Sequence, residues 1–164
     1  IAFAISYAVY RRPPVVIPDV SRSPLYVSVG AGLLIGGFVV VLSRLFDRWF
    51  AWSRRLTEGF RKLLGPLNGT DIAVIAVCSS IGEELLFRGL LLPMIGLVLS
   101  SLVFGLLHIG PTRDFLPWTA MAVVMGFAFG GVTLATGDLI AAIVAHLTIN
   151  YFNLHAIYES SDSS

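Results

Sequence analysis

The chain has 164 residues, of which 56% are apolar or aromatic and only 13% are charged; its mean hydropathy is +0.85. A soluble domain is about 45–50% apolar with Gly counted and about 25% charged, so a disordered chain, a coiled coil and a soluble globular enzyme are excluded, and the apolar side chains must face lipid. The net charge of +1 gives no signal for nucleic acid, and the single Cys78 excludes an intrachain disulfide or a cysteine-rich metal site.

Residues 1–10 are apolar but too short to span alone, and Arg11 and Arg12 follow them, the reverse of a signal peptide. They read as the end of a helix begun upstream or as an interfacial segment; a chain that starts at Ile1 and not Met is expected to have residues before it. A spanning helix needs about 20 mostly apolar residues. Residues 25–43 satisfy this between Pro24 and Arg44.

Residues 44–68 differ in kind. They hold Arg44, Arg48, Arg54, Arg55, Arg61 and Lys62, interleaved with Trp49, Phe50, Trp52, Leu56, Phe60, Leu63 and Leu64. That pattern suits an amphipathic helix on the membrane surface, placed on the cytoplasmic side by its positive charge. A solvated loop that merely sets topology fits equally well.

The next stretch predicts two spans, 71–92 and 94–109, joined by a tight turn at Pro93 and Gly96. Two further spans follow, 115–137 and 139–158, with Gly137 as a helix stop and Asp138 as the next N-cap. All eight prolines fall at these boundaries, as they should when an interior proline costs a helix about 3 kcal/mol. The predicted fold is one all-α, polytopic membrane helical bundle over residues 1–164, with five full spans, a partial N-terminal helix and an amphipathic interfacial segment. Gly32 with Gly36, and Ala122 with Gly126 and Gly130, put small residues on single helix faces. Close helix packing within the chain is the default reading.

The polar groups inside the spans carry the chemistry. An ionisable side chain at the bilayer centre costs at least about 2.5–3.5 kcal/mol, yet the spans contain Glu83, Glu84, Arg88, His108 and His146, with Asn150 beside them. Glu84 and Arg88 are four apart and can neutralise each other. Cys78 packs as a small apolar group, and His155 lies toward the interface. At about 1.5 Å per residue, Glu83 lies roughly 18 Å from the Asp71 end and His108 roughly 21 Å from the Met94 end. His146 and Asn150 lie roughly 12 and 18 Å from the Asp138 end. Three helices thus offer polar groups at overlapping depth.

Glu83 and Glu84 point about 100° apart on a helix, so Glu83 can face a site while Glu84 pairs with Arg88. A buried carboxylate suits water activation, and His or Asn donors suit a developing oxyanion. Ser79 and Ser80 lie outside any nucleophile motif. The pattern H-E-x-x-H is absent, but a zinc site from Glu83, His108 and His146 is chemically allowed.

Three motifs stand in order: E-E-x-x-x-R at Glu83, Glu84 and Arg88, F-x-x-x-H at Phe104 and His108, and H-x-x-x-N at His146 and Asn150. Together they resemble the CAAX protease and bacteriocin-processing (ABI) family of intramembrane endopeptidases. The resemblance covers about residues 71–153. It implies that Glu83 activates water with help from His108, that His146 and Asn150 stabilise the oxyanion, that Glu84, Arg88 and Phe104 support the site, and that Arg88 holds Glu84 and shapes the site or meets a substrate carboxylate. It implies no required cofactor, although members were once described as metalloproteases and zinc stays an alternative. Eukaryotic members remove the last three residues of prenylated CAAX proteins. Bacterial relatives are linked to bacteriocin maturation, self-immunity and, as in myxosortases, C-terminal sorting tags.

This compact chain resembles a bacterial member, expected in the inner membrane with a membrane-associated protein or peptide as substrate and no nucleic-acid partner. Two readings from other classes compete with proteolysis. One is a non-catalytic chaperone, immunity or scaffold protein. The other is an ion or proton carrier, which the lack of an inverted repeat disfavours.

Overall fold

The computed structural model describes residues 23–159; the segment expected at 1–10 lies outside them. All regular structure among the described residues is helical. Helix α1 (Leu25–Trp49) turns at Phe50 into α2 (Ala51–Leu64). Helix α3 (Gly69–Leu86) runs through a π-helical turn (Phe87–Leu91) into α4 (Leu92–Leu106). A 3-10 turn (Arg113–Phe115) precedes α5 (Leu116–Thr136), and α6 (Ile140–Glu159) follows.

Local signals set the ends. Asn68 accepts from the Thr70 and Asp71 amides while Asp71 accepts from the Asn68 amide, a capping box that starts α3. Gly137, at φ 79°, stops α5, and the Asp138 carboxylate accepts from Ile140 N at 2.7 Å to start α6. Both roles are those expected from the sequence.

Four helical segments are long and apolar enough to cross a membrane: Leu25–Trp49, Gly69–Leu106, Arg113–Thr136 and Ile140–Tyr158. Residues 71–92 and 94–109, expected as two spans, are two limbs of one 38-residue helical run. The turn is not at Pro93. Proline lacks an N–H and crowds the carbonyl one turn back; the widened π turn immediately before Pro93 takes up that crowding, and the helix continues. The reversal falls at Gly96, φ 78° and ψ 172°, a conformation essentially reserved for glycine. The contacting pairs Glu83/His108 and Phe87/Phe104 both straddle this point symmetrically. The returning limb, 97–106, rises only about 15 Å, half of a hydrocarbon core of about 30 Å.

Helix α6 is the hub, packed against α1, α3 and α5, while α4 packs on α5. Its Ala141, Ala142 and Ala145 are fully buried and let neighbours approach. On α1 the buried row is Ser28, Gly32, Gly36 and Val39. A Cβ on Gly32 would lie 2.6 Å from the Ala141 carbonyl oxygen, and one on Gly36 would lie 2.7 Å from Thr148 Cβ. Likewise a Cβ on Gly126 of α5 would lie 2.8 Å from Ser101 Cα on α4. The small-residue faces thus pack helices within the chain. Large apolar residues point the other way: Leu34 is 78% and Phe38 68% exposed. Small inside and large outside is the pattern of a bundle whose solvent is lipid.

Helix α2 is amphipathic, and much of its apolar face turns inward, although Leu63 and Leu64 at its end are exposed. Trp52, Leu56 and Phe60 line an internal cavity shared with α1, α3, α5 and α6, and Arg54, Arg55, Glu58 and Lys62 take the exposed side. Phe60 packs edge-on against Phe115 and Trp118, with centroids 5.0 and 4.9 Å away. The amphipathic helix expected here is present; Trp49 and Phe50 just before it are exposed, while Trp52 and Phe60 turn to the cavity. The helical period reports one apolar face and not what covers it.

Candidate active site

The cavity has a volume of about 470 Å³, and its wall includes Ser79, Glu83, Phe104, His108, His146 and Asn150. Helix α3 presents two rows. Ser79 and Glu83 face the cavity; Ser80, Glu84 and Arg88 form the buried row beside them. This split follows from the 100° step between neighbours, and it assigns Glu83 to the open face as expected.

Glu84 is fully buried. Its Oε1 accepts from Arg88 Nη1 at 3.0 Å and from His146 Nδ1 at 2.8 Å. Arg88 sits within the π turn and also donates to the carbonyls of Met125 and Gly126, at 3.4 and 3.2 Å. Its guanidinium lies over the rings of Phe104 and Phe129, at 4.5 and 5.2 Å. A buried cation so enclosed is compensated by charge, carbonyls and π faces together.

Two imidazoles reach Glu83 from different directions. His108 Nε2 is 3.6 Å and His146 Nε2 3.9 Å from Glu83 Oε2. Each ring is held by its other nitrogen. His146 Nδ1 bonds Glu84, and the ring stacks on Phe129 at 5.3 Å. His108 Nδ1 donates to the Phe104 carbonyl at 2.7 Å. The His108 ring lies 4.4 Å from Phe104 and 5.0 Å from Trp118. With both Nδ1 atoms donating, each neutral ring presents its Nε2 lone pair toward Glu83. Glu83 Oε2 is enclosed and has no hydrogen-bond partner among the described residues, while 32% of the Glu83 side chain is exposed.

His108 does not lie on a helix, contrary to the predicted span to residue 109. Helix α4 ends at Leu106, and His108 N bonds back to the Gly105 carbonyl at 3.0 Å. Beyond the helix its own carbonyl needs a donor, and Thr119 Oγ1 of α5 supplies one at 2.8 Å.

Asn150 lies one turn beyond His146 on α6, where its Nδ2 donates to Ser79 Oγ at 2.9 Å. The structure therefore gathers Glu83, His108 and His146 around one point and puts Asn150 on the same cavity wall. Phe104 shares that wall, and Arg88 lies behind it. The sequence does not mark Trp118, Thr119, Phe129 and Ser79 as partners, nor the bond from Glu84 to His146. No spacing rule links residues on separate helices.

Among the described residues, no group of three or more His, Cys, Asp or Glu side chains is disposed to hold a metal ion. Glu83 Oε2 stands 3.6 and 3.9 Å from the two Nε2 atoms, wider than the roughly 3.3 Å between ligands that share a tetrahedral zinc at about 2.0–2.1 Å.

The uncharacterized protein YpbD of Bacillus subtilis (strain 168) is 28% identical over 121 residues, which cover 73% of this chain and 63% of that protein. The chain thus spans about 63% of the length of the curated relative it matches. No solved structure matches. Residues 67–152 match the family described as type II CAAX prenyl endopeptidase Rce1-like. That match takes in Glu83, Glu84, Arg88, Phe104, His108, His146 and Asn150, and on it the chain belongs to the Rce1-like family of type II CAAX prenyl endopeptidases.

Proposed function

We propose that this integral membrane protein is an intramembrane endopeptidase. It hydrolyses a peptide bond near the C-terminus or membrane anchor of a membrane-associated protein or peptide. The observation that carries the reading is the meeting of Glu83 Oε2 with two imidazole Nε2 atoms at the wall of a cavity. A carboxylate facing two lone pairs calls for a molecule that can donate protons to them, and water carries two. Distances above 3.5 Å are those that a bridging water spans.

In the proposed reaction Glu83 takes a proton from water, and the water oxygen bonds to the substrate carbonyl carbon. Negative charge moves to the carbonyl oxygen. The amide hydrogens of Asn150 stabilise it, and so does His146 when doubly protonated, with its Nδ1 proton held by Glu84. Glu83 passes the proton it took from water to the Nε2 lone pair of His108, and His108 delivers it to the leaving nitrogen as the C–N bond breaks. Glu84 and Arg88 hold His146 in place, and Phe104 supports His108. The chain's own residues supply these steps. Its match to a Bacillus protein favours a bacterial cytoplasmic membrane as the setting.

The test is cleavage of a fluorogenic peptide by protein purified into nanodiscs. Glu83→Gln and His108→Ala are each expected to lower kcat by about 10²–10⁴-fold, the usual contribution of a general acid or base. Equal activity in the wild type and both variants would overturn the assigned roles. Stoichiometric zinc together with loss of activity on chelation would overturn the metal-free mechanism. A non-catalytic membrane chaperone or scaffold would show the same cellular phenotype with Glu83→Gln as with the wild type.

A further inference from the structure

The cavity extends well beyond Glu83. At its other end the wall is made by Ser43, Arg44 and Asp47 of α1 with Asn153 of α6. This second polar group is not part of any of the three motifs. Asn153 Nδ2 donates to Ser43 Oγ at 3.3 Å. The Asp47 carboxylate already accepts from the hydroxyls of Ser53 and Thr57. Arg44 is the unbalanced member. Its Nη2 donates to the Phe152 carbonyl at 2.6 Å, and among the described residues it makes no ion pair. A guanidinium has five N–H donors, so most of its capacity is uncommitted. The bond to the α6 backbone fixes where the group sits, which preorganises it for an anion.

We propose that Arg44 binds the C-terminal carboxylate of the peptide that is cut at Glu83. The inference rests on the proteolytic reading of the site. Phe152, to which Arg44 is tied, lies six residues past His146 on α6, about 9 Å along the helix axis. An extended peptide covers that distance in about three residues at roughly 3.3 Å each. A chain held by its carboxylate at Arg44 therefore lays a peptide bond beside Glu83 and His146 at a set distance from its end. Arg44 measures the substrate from its terminus, and the mostly apolar wall between the two polar stations accepts the side chains. Asp47 takes both hydroxyl donors on Oδ1, and Arg44 is the cation of this station.

The test crosses two peptides with three proteins. One peptide ends in a free carboxylate, and the other is identical but ends in an amide. Wild type, Arg44→Gln and Arg44→Lys are compared in nanodiscs. The wild type is expected to show a KM about tenfold or more lower for the acid, as charged hydrogen bonds imply. Arg44→Gln brings the two KM values together, and Arg44→Lys restores part of the difference. Equal KM values in the wild type, or a rise in both with Arg44→Gln, would overturn the proposal.

A binding arm separates this inference from the reaction. Labelled acid and amide peptides are titrated by fluorescence anisotropy onto Glu83→Gln protein, with and without Arg44→Gln. If the wild type cuts neither peptide but the acid preference depends on Arg44, the proteolytic reading fails and the carboxylate site stands. If the wild type cuts both with no preference, the reverse holds. An effect of Arg44→Gln that follows the phosphatidylglycerol content of the nanodisc and ignores the peptide end would assign the residue to a lipid headgroup, and the proposal would fall.

Discussion

Glu84 holds Arg88 and His146 on a single carboxylate oxygen with none of its side chain exposed. Replacing it by Gln keeps the volume but leaves a buried guanidinium without its counter-charge. Breaking a buried pair in this way costs about 3–5 kcal/mol, so Glu84→Gln should unfold at clearly lower temperature in a detergent melt. Glu83→Gln should melt close to the wild type, because Oε2 of Glu83 has no hydrogen-bond partner among the described residues to lose. Equal melting of the two would contradict the division of labour between the neighbours. The Glu84–Arg88 pair and the cavity-facing Glu83 were legible in the sequence, since helix geometry alone relates positions one and four apart. The Glu84–His146 bond was not. It joins α3 to α6 and depends on how closely those helices pack, which local pattern does not encode.

Between elements, the glycines give matched tests. Gly36 and Gly37 are neighbours on α1, but a Cβ on Gly36 would meet Thr148 and the Ala145 carbonyl, whereas one on Gly37 meets nothing within 4 Å. Gly36→Ala should cost about 1–3 kcal/mol by overpacking, while Gly37→Ala should be neutral or gain up to about 1 kcal/mol of helix propensity. Reversible unfolding in mixed micelles measures both. The motif of small residues four apart identified this face in the sequence; its partner, α6, emerged only from the fold. The hairpin of α3 and α4 was half legible: the break at Pro93 and Gly96 was visible, but not that Gly96 alone carries the reversal, because the π segment could not be read from composition. That reversal leaves His108 past the end of α4, where Thr119 holds its carbonyl. Thr119→Val keeps the shape and removes the donor. It should lower kcat more than it changes KM, with Thr119→Ser restoring the rate. A change confined to KM, or no rescue by Ser, would show that Thr119 does not position His108.

The molecule as a whole brings a charged surface helix and a reaction centre into one packing unit. Helix α2 is pinned at its start by Asp47 accepting from Ser53 and Thr57. Its inward face continues through Phe60 to Trp118 and from Trp118 to His108. At the far end Arg61 donates to the Ile157 carbonyl, and Tyr158 Oη donates to the Gly65 carbonyl at 2.6 Å. One face of α2 therefore closes the cavity, and the opposite face carries its charge outward. The two faces should respond differently to truncation. Phe60→Ala removes a half-buried ring from the chain of aromatic contacts that ends at His108. It is expected to cost about 1–3 kcal/mol, below the 3–5 kcal/mol of a fully enclosed Phe, and to lower the turnover of saturating peptide. Lys62→Ala on the exposed side should shift stability by no more than about 0.5 kcal/mol and leave turnover at the wild-type level. Melting temperature and kcat measured side by side for the two variants distinguish a helix that shapes the reaction centre from one that only rides on the membrane. In the second case Phe60→Ala would leave kcat unchanged.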